Sequence, residues 1–235
     1  MTSLVDSFLG TTPEPVVWPD VLPDHVSATM LTSYHRCREL WRLRYLEGHK
    51  EPPRHYQIWG SADSAAAAFN FEQKITSHED LPTAAVTEVF AVEVDRQIDA
   101  AGGESQVAWE STTAAQVKDR GAALAALYHR QAAPKVQPIE VERRFEIAVQ
   151  GLAVPLIGYM DVETAPTIVE RKTASRKWTR PAGQYMAQAH VYQLASPKPV
   201  HFHVSTKTQT PGVFTPAEEA SLELPLVKAQ AGMTE

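Results

Sequence analysis

The chain has almost no sulfur chemistry available to it: one cysteine, Cys37, in 235 residues. A single thiol excludes an internal disulfide and a four-cysteine metal or cluster site. On its helical periodicity Cys37 reads as a packing residue. No apolar run approaches the ~20 residues needed to cross a bilayer. The opening stretch MTSLVDSFLGTTPEPVVWPD lacks the basic start and apolar centre of a signal peptide, so a cytoplasmic protein without a membrane partner is expected. There is no glycine-rich phosphate loop, and ATP use is not suggested. Net positive charge is absent too: Lys and Arg number 22 against 28 Asp and Glu, for a formal charge of −6. Total charge therefore does not announce a nucleic-acid partner.

What is present is a core-forming composition, 43% hydrophobic and 21% charged, with one locally basic stretch. RKTASRKWTR, residues 171–180, carries five basic side chains and no acidic one. Local field decides where a phosphate backbone sits. Arg176, Lys177 and Arg180, with Trp178 among them, could follow such a backbone and stack a base. A solvated loop is the other reading of that charge run. Lys207 could add to the same face.

Texture changes along the chain. Residues 1–25 are rich in proline and turn formers and read as a flexible lead-in. From Ser27, the residues Met30, Leu31, Tyr34, Cys37, Leu40, Trp41 and Tyr45 recur at helical spacing up to Gly48, which predicts one helix. Further helices are expected over about 60–77, over TAAVTEVFAVEVDRQIDAA up to Gly102-Gly103, and over about 111–131. IEVERRFEIAV, PLIGYMDVE, TIVERKTA and VHFHVSTKT then read as strands with period-2 alternation. A helical AGQYMAQAHVYQLAS separates the last two. The fold class is α/β, a small mixed sheet flanked by helices, with a helical N-terminal half. One domain is expected over 26–215, mainly helical over 26–135 and sheet core over 136–215. An acidic tail follows over 216–235.

The chemistry gathers in PLIGYMDVETAPTIVERKTA. If Ala165-Pro166 make the turn, counting sets Asp161 opposite Glu170 on one sheet face. Glu170 and Lys172, two apart on a strand, share that face. Two carboxylates and an ammonium would then converge. Oxygen donors suit Mg²⁺ or Mn²⁺, and such an ion can activate a water and neutralise a phosphodiester. The lysine can hold or help deprotonate that water, or stabilise developing charge. A one-residue slip would scatter the set, and an isolated match of this kind is most often a surface salt bridge.

Together, G-Y-M-Asp161, I-V-Glu170-R-Lys172, the helical Gln188-A-H-V-Tyr192 and the N-terminal SATMLTSYHRCRELWRLRYLEG resemble the RecB-like branch of the PD-(D/E)XK nucleases. Within it, the CRISPR adaptation exonucleases and their phage-encoded relatives are most similar. The resemblance runs from about Ser27 to about Thr210. It implies a restriction-endonuclease-like core and a metal-dependent DNA nuclease, most readily an exonuclease, in a bacterial or phage-infected cell. Recombination or CRISPR-system proteins would be its partners. Asp161, Glu170 and the backbone carbonyl of Arg171 would hold the metal, and Lys172 would be the catalytic lysine. Gln188 and Tyr192 would support the site and contact DNA; packing against the sheet is the plainer role for Tyr192. The family's usual histidine ligand falls on Ser64, a far poorer ligand, with Asp63 pointing roughly 100° away on the same helix. Glu142 matches a frequent acidic position, or else pairs with Arg143 or Arg144. An iron–sulfur cluster of ordinary ligation is not expected. His201 and His203 share a strand face without forming a zinc site. The alternative to an enzyme is a catalytically weakened nuclease-fold module that binds DNA or protein.

Overall fold

The computed structural model describes residues 22–175, 178 and 181–206 and the backbone of 218–220. Arg176, Lys177, Arg180, Lys207, the lead-in up to residue 21 and most of the tail lie outside the described residues. The described chain divides into two compact units. One takes the residues up to His49 with Glu146–Ile157, and the other takes Lys50–Phe145 and everything from Gly158.

In the first unit the predicted single helix is two. α1 spans Ala28–Arg36 and α2 spans Arg38–Tyr45. Ser27 caps α1 by accepting the Met30 N–H at 3.3 Å, as a serine before a helix should. The break is at Cys37, whose backbone is extended at φ −161° and ψ 108°. Cys37 is exposed, and its Sγ accepts the Leu40 N–H at 3.5 Å. The packing role expected from periodicity is thus replaced by a capping role. Periodicity missed the break because the ring pattern bridges it: Tyr34 meets Trp41 edge-on at 5.5 Å, and Arg38 lies over Tyr34.

In the second unit α3 (His55–Ser77), α4 (Thr83–Ala100) and α5 (Ala114–Gln131) form the helical half. Thr113 caps α5, and Gly102 and Gly103, both at positive φ, stop α4. Ile58, Trp59, Ala62 and Ala66 of α3 pack on Val86, Phe90, Val94 and Ile98 of α4 and on Val117 and Leu124 of α5. A different stripe of α3, Ala67 and Phe71, packs with Tyr128 on Val162 and Val169 of the sheet. Each large side chain so buried contributes about 2–3 kcal/mol. Of the alanines at 65–68, Ala66 faces the other helices and Ala67 faces the sheet.

The sheet is five-stranded and mixed, in the order β1 (Pro138–Ile147), β2 (Leu156–Thr164), β3 (Ile168–Ala174), β4 (Val200–Thr206) and β5 (Glu218–Ala220). β2 and β3 are antiparallel, β3 and β4 parallel, β4 and β5 antiparallel. The parallel crossover is made by α6, Gly183–Ala195, the usual solution for parallel neighbours. Among the described residues, no helix is long and apolar enough to cross a membrane.

Candidate active site

The hairpin turn comes first, because it sets everything downstream. Ala165 and Pro166 are exposed, and Thr164 closes the turn by donating and accepting across to Thr167. The ladder then pairs Glu163 with Ile168 and Val162 with Val169, which is the register counted from that turn. At the next rung the pairing stops. The Arg171 N–H donates instead to Asp161 Oδ2 at 2.8 Å. A side chain thus takes an amide at the point where the strands separate, and Asp161 is anchored to β3 beside Glu170.

Glu170 is 1% exposed, yet both its oxygens have partners. Lys172 Nζ donates to Oε1 in a short contact. The Tyr192 hydroxyl donates to Oε2 at 2.9 Å, and Gln188 Nε2 donates to the Tyr192 oxygen at 2.6 Å. α6 supplies both residues from one face, four apart. Burial, then the Asp161 charge, pushes the Glu170 carboxyl up to about 7, against the pull of Lys172 and Tyr192. Burial also raises Asp161, with Lys172 and the Arg171 amide opposing. Burial works against the charge of Lys172, but Glu170 and then Asp161 outweigh it and hold the ammonium protonated. Its Nζ lies 5.3 Å from the Tyr185 ring centre, and Tyr185 stacks on Trp178 at 4.7 Å.

Ser64, Glu142, Asp161 and Arg171 line one small cleft, with about 10 Å³ of free volume, the room of a single water or ion. Glu142 sits at φ +47°, a strained backbone for a residue with a Cβ. Partial burial, then Asp161, pushes its carboxyl up to about 7. Arg143 turns away from this cleft and joins Glu140 and Glu163.

Sequence reasoning missed several supports. Gly158 is one: a Cβ there would stand 2.4 Å from the Phe145 ring, and that ring packs edge-on against Tyr192. The small residue lets an aromatic lie behind the tyrosine that holds Glu170. Glu163 is another, buried and joined by Arg143, Lys198 at 2.8 Å and Ser196 at 3.0 Å, which ties the turn end of the hairpin to the residues after α6. The third is the Arg171 side chain. It leaves the Glu170 face and enters the helical half, where its guanidinium meets the Asp63 carbonyl at 2.7 Å and the Asp63 carboxylate at 2.9 Å. It also lies 4.1 Å from the Tyr128 ring centre. The Tyr128 hydroxyl bonds His203 Nδ1 at 3.0 Å, so His203 serves the interior. Alternation of the strand could have predicted which way Arg171 points, but not what it would meet.

The donor chemistry suits a hard divalent cation: two neighbouring carboxylates, both pushed toward neutrality by burial and one by the other's charge. Among the described residues, no group of three or more His, Cys, Asp or Glu could hold a metal ion. A cation here would therefore take two carboxylates and complete its shell from backbone and solvent.

A family model described as the PD-(D/E)XK nuclease superfamily matches residues 25–214. No curated protein matches the chain significantly. Of the solved structures, one titled "Crystal structure of SSO0001" is 14% identical, covers 83% of this chain and 80% of its own, and superposes with a TM-score of 0.26.

Proposed function

The chain belongs to the PD-(D/E)XK nuclease superfamily, and from that premise we propose that it hydrolyses DNA phosphodiester bonds with Mg²⁺ or Mn²⁺, as an exonuclease on ends or single strands. The observation that carries the reading is the convergence on buried Glu170 of Lys172, Tyr192 and the charge of Asp161. Asp161, Glu170 and the backbone carbonyl of Arg171 would hold the cation. When bound, it would supply an activated water and neutralise phosphodiester charge.

The other roles fall to the chain itself. Lys172, held protonated by two carboxylates, donates hydrogen bonds to a phosphate oxygen or to the attacking water, which favours charge stabilisation over proton removal. Tyr192 and Gln188 fix the second oxygen of Glu170, so the carboxylate does not rotate to chelate its own lysine with both oxygens. With Tyr192 buried at 3% exposure, any DNA contact from this pair falls to Gln188. Arg176, Lys177 and Arg180 are the candidates for following the backbone beyond the site.

Labelled linear single- and double-stranded DNA with Mn²⁺ tests this. Cleavage should fall at least ~100-fold in Asp161→Ala and in Lys172→Ala, the scale lost when a charge-stabilising group is removed. A second reading rests on Ser64, which lines the cleft and which the resemblance sets at the family's usual histidine position. It makes the chain a module that binds DNA without cutting. Retention of DNA with no cleavage at any Mn²⁺ concentration would select it.

A further inference from the structure

The buried pair Asp63–Arg171 is an expensive way to fill an interior. Both residues are more than nine-tenths buried. Asp63 Oδ1 and Arg171 Nε have no hydrogen-bond partner among the described residues. A buried ion pair with unmet hydrogen bonds stabilises less than hydrocarbon of the same volume would. Stability alone does not account for it.

Its placement suggests what does. Arg171 lies between Glu170 and Lys172, and it is held at two points. Its N–H is fixed on Asp161, and its guanidinium is fixed on both the carbonyl and the carboxylate of Asp63. A planar fork gripped by two acceptors and backed by the Tyr128 ring defines an orientation that a single contact would not. Asp63 in turn precedes Ser64, which lines the cleft with Asp161. One ion pair therefore ties the strand that bears Glu170 and Lys172, whose Arg171 amide holds Asp161, to the helix that carries Ser64.

We propose that the Asp63–Arg171 pair is a positioning device, which sets the Glu170–Lys172 strand and α3 at the separation the Asp161 cleft needs to hold a divalent cation. The inference rests on the nuclease reading above. Arg171 and Asp63 act through Asp161 and Glu170 and touch neither cation nor DNA by their side chains.

The test uses the full chain and four variants: Asp63→Asn, Arg171→Met, Arg171→Lys and the double Asp63→Asn/Arg171→Met. Thermal unfolding is followed with and without Mn²⁺ alone, and cleavage of a labelled oligonucleotide is resolved into kcat and KM. Each neutralising single change strands a buried charge or donor and is expected to lower Tm. The double change removes both charges and should recover most of the metal-free Tm. Positioning predicts that the double variant still shows less than half the Mn²⁺-induced Tm rise of the wild type. It also predicts kcat lower by tenfold or more with KM for DNA within about twofold, since no DNA contact is altered. Arg171→Lys keeps the charge without the fork and should share the kcat loss. If the double variant regains both the Mn²⁺ response and kcat along with its Tm, the pair is structural only and the proposal is overturned. If the wild type responds to Mn²⁺ but cuts nothing, the nuclease reading fails while the Mn²⁺ response of the double variant still decides the positioning. If the wild type neither responds nor cuts, both fall.

Discussion

Glu170 illustrates how much a single buried carboxylate depends on its neighbours. Lys172 engages one oxygen and Tyr192 the other. Removing the phenol oxygen leaves Glu170 Oε2 unpaired in the interior, and a hydrogen bond to a charged group is worth about 1.5–3 kcal/mol. Tyr192→Phe is therefore expected to lower kcat by about tenfold and Tm modestly, measured by cleavage kinetics and thermal unfolding on one preparation. Ser64 gives the opposite kind of prediction. It borders the cleft of Asp161 and Glu142, and an imidazole there would add a nitrogen ligand where a hydroxyl is a poor one. Ser64→His should raise cleavage at low Mn²⁺ and leave saturating Mn²⁺ nearly unchanged; equal activity across the Mn²⁺ titration would mean that position 64 does not face the cation. At this scale the sequence was informative about identity and weak on support. The carboxylates and the lysine could be proposed from their spacing together with the neighbouring motifs. Gly158 and Glu163 could not, because what makes them matter is a ring or a cation from elsewhere in the chain.

The β2–β3 hairpin was legible because its determinants are local. A two-residue turn and a period of two set the faces, and Val162 pairs with Val169 as the count requires. What lay beyond the count is the end of the ladder, where Asp161 takes an amide with its side chain. The packing of β1 on β2 was equally out of reach. Phe145 occupies the space over Gly158, and a Cβ there would come within 2.4 Å of its ring. Gly158→Ala should cost about 1–3 kcal/mol, the usual scale for overpacking, and should also lower kcat, because Phe145 backs Tyr192. Denaturant unfolding gives the first quantity and cleavage the second; a stability loss with unchanged kcat would separate the Phe145 contact from the site. The helix at 27–48 marks a limit of periodicity. Its apolar spacing continues through Cys37, but the backbone there is extended, and a spacing pattern alone does not distinguish one helix from two with a capped junction.

Across the second unit, the two sides of β3 respond oppositely to acid. On the helical side burial, aided by the charges of Arg171, His201 and Lys135, pushes His203 down to about 4. A histidine depressed in the folded state contributes stability that is present above its unfolded value near 6.5 and is lost as pH falls toward 4. On the other side Glu170 is raised to about 7, so its contribution is present below about 4.5 and is lost as pH rises through 7. The net curve mixes these signs, and a paired comparison isolates one. His203→Gln should be less stable than wild type at pH 8, and the gap should shrink by on the order of 2 kcal/mol between pH 6.5 and 4. A gap constant with pH, by thermal or urea unfolding, would show that His203 is not the group that titrates. Nothing in the strand VHFHVST ranks His203 above His201. Only the register against Arg171 and the Tyr128 hydroxyl set them apart.

By itself the sequence determined the α/β class, the order of the elements from α3 to β4 and the hairpin register, and it singled out three candidate residues at the hairpin's centre. Each of these follows from interactions between near neighbours, namely helical and strand periodicity, a turn dipeptide and side chains two apart. The break between α1 and α2 and the strand β5 within the expected tail were not legible in it. The tertiary structure decided what those residues lean on. Arg171 finds Asp63 from 108 positions away, Tyr192 reaches Glu170 from α6, and Ser64 lines the same cleft as Asp161. Such pairings depend on how helices and sheet pack through space, and packing geometry is not encoded in the spacing of any one segment.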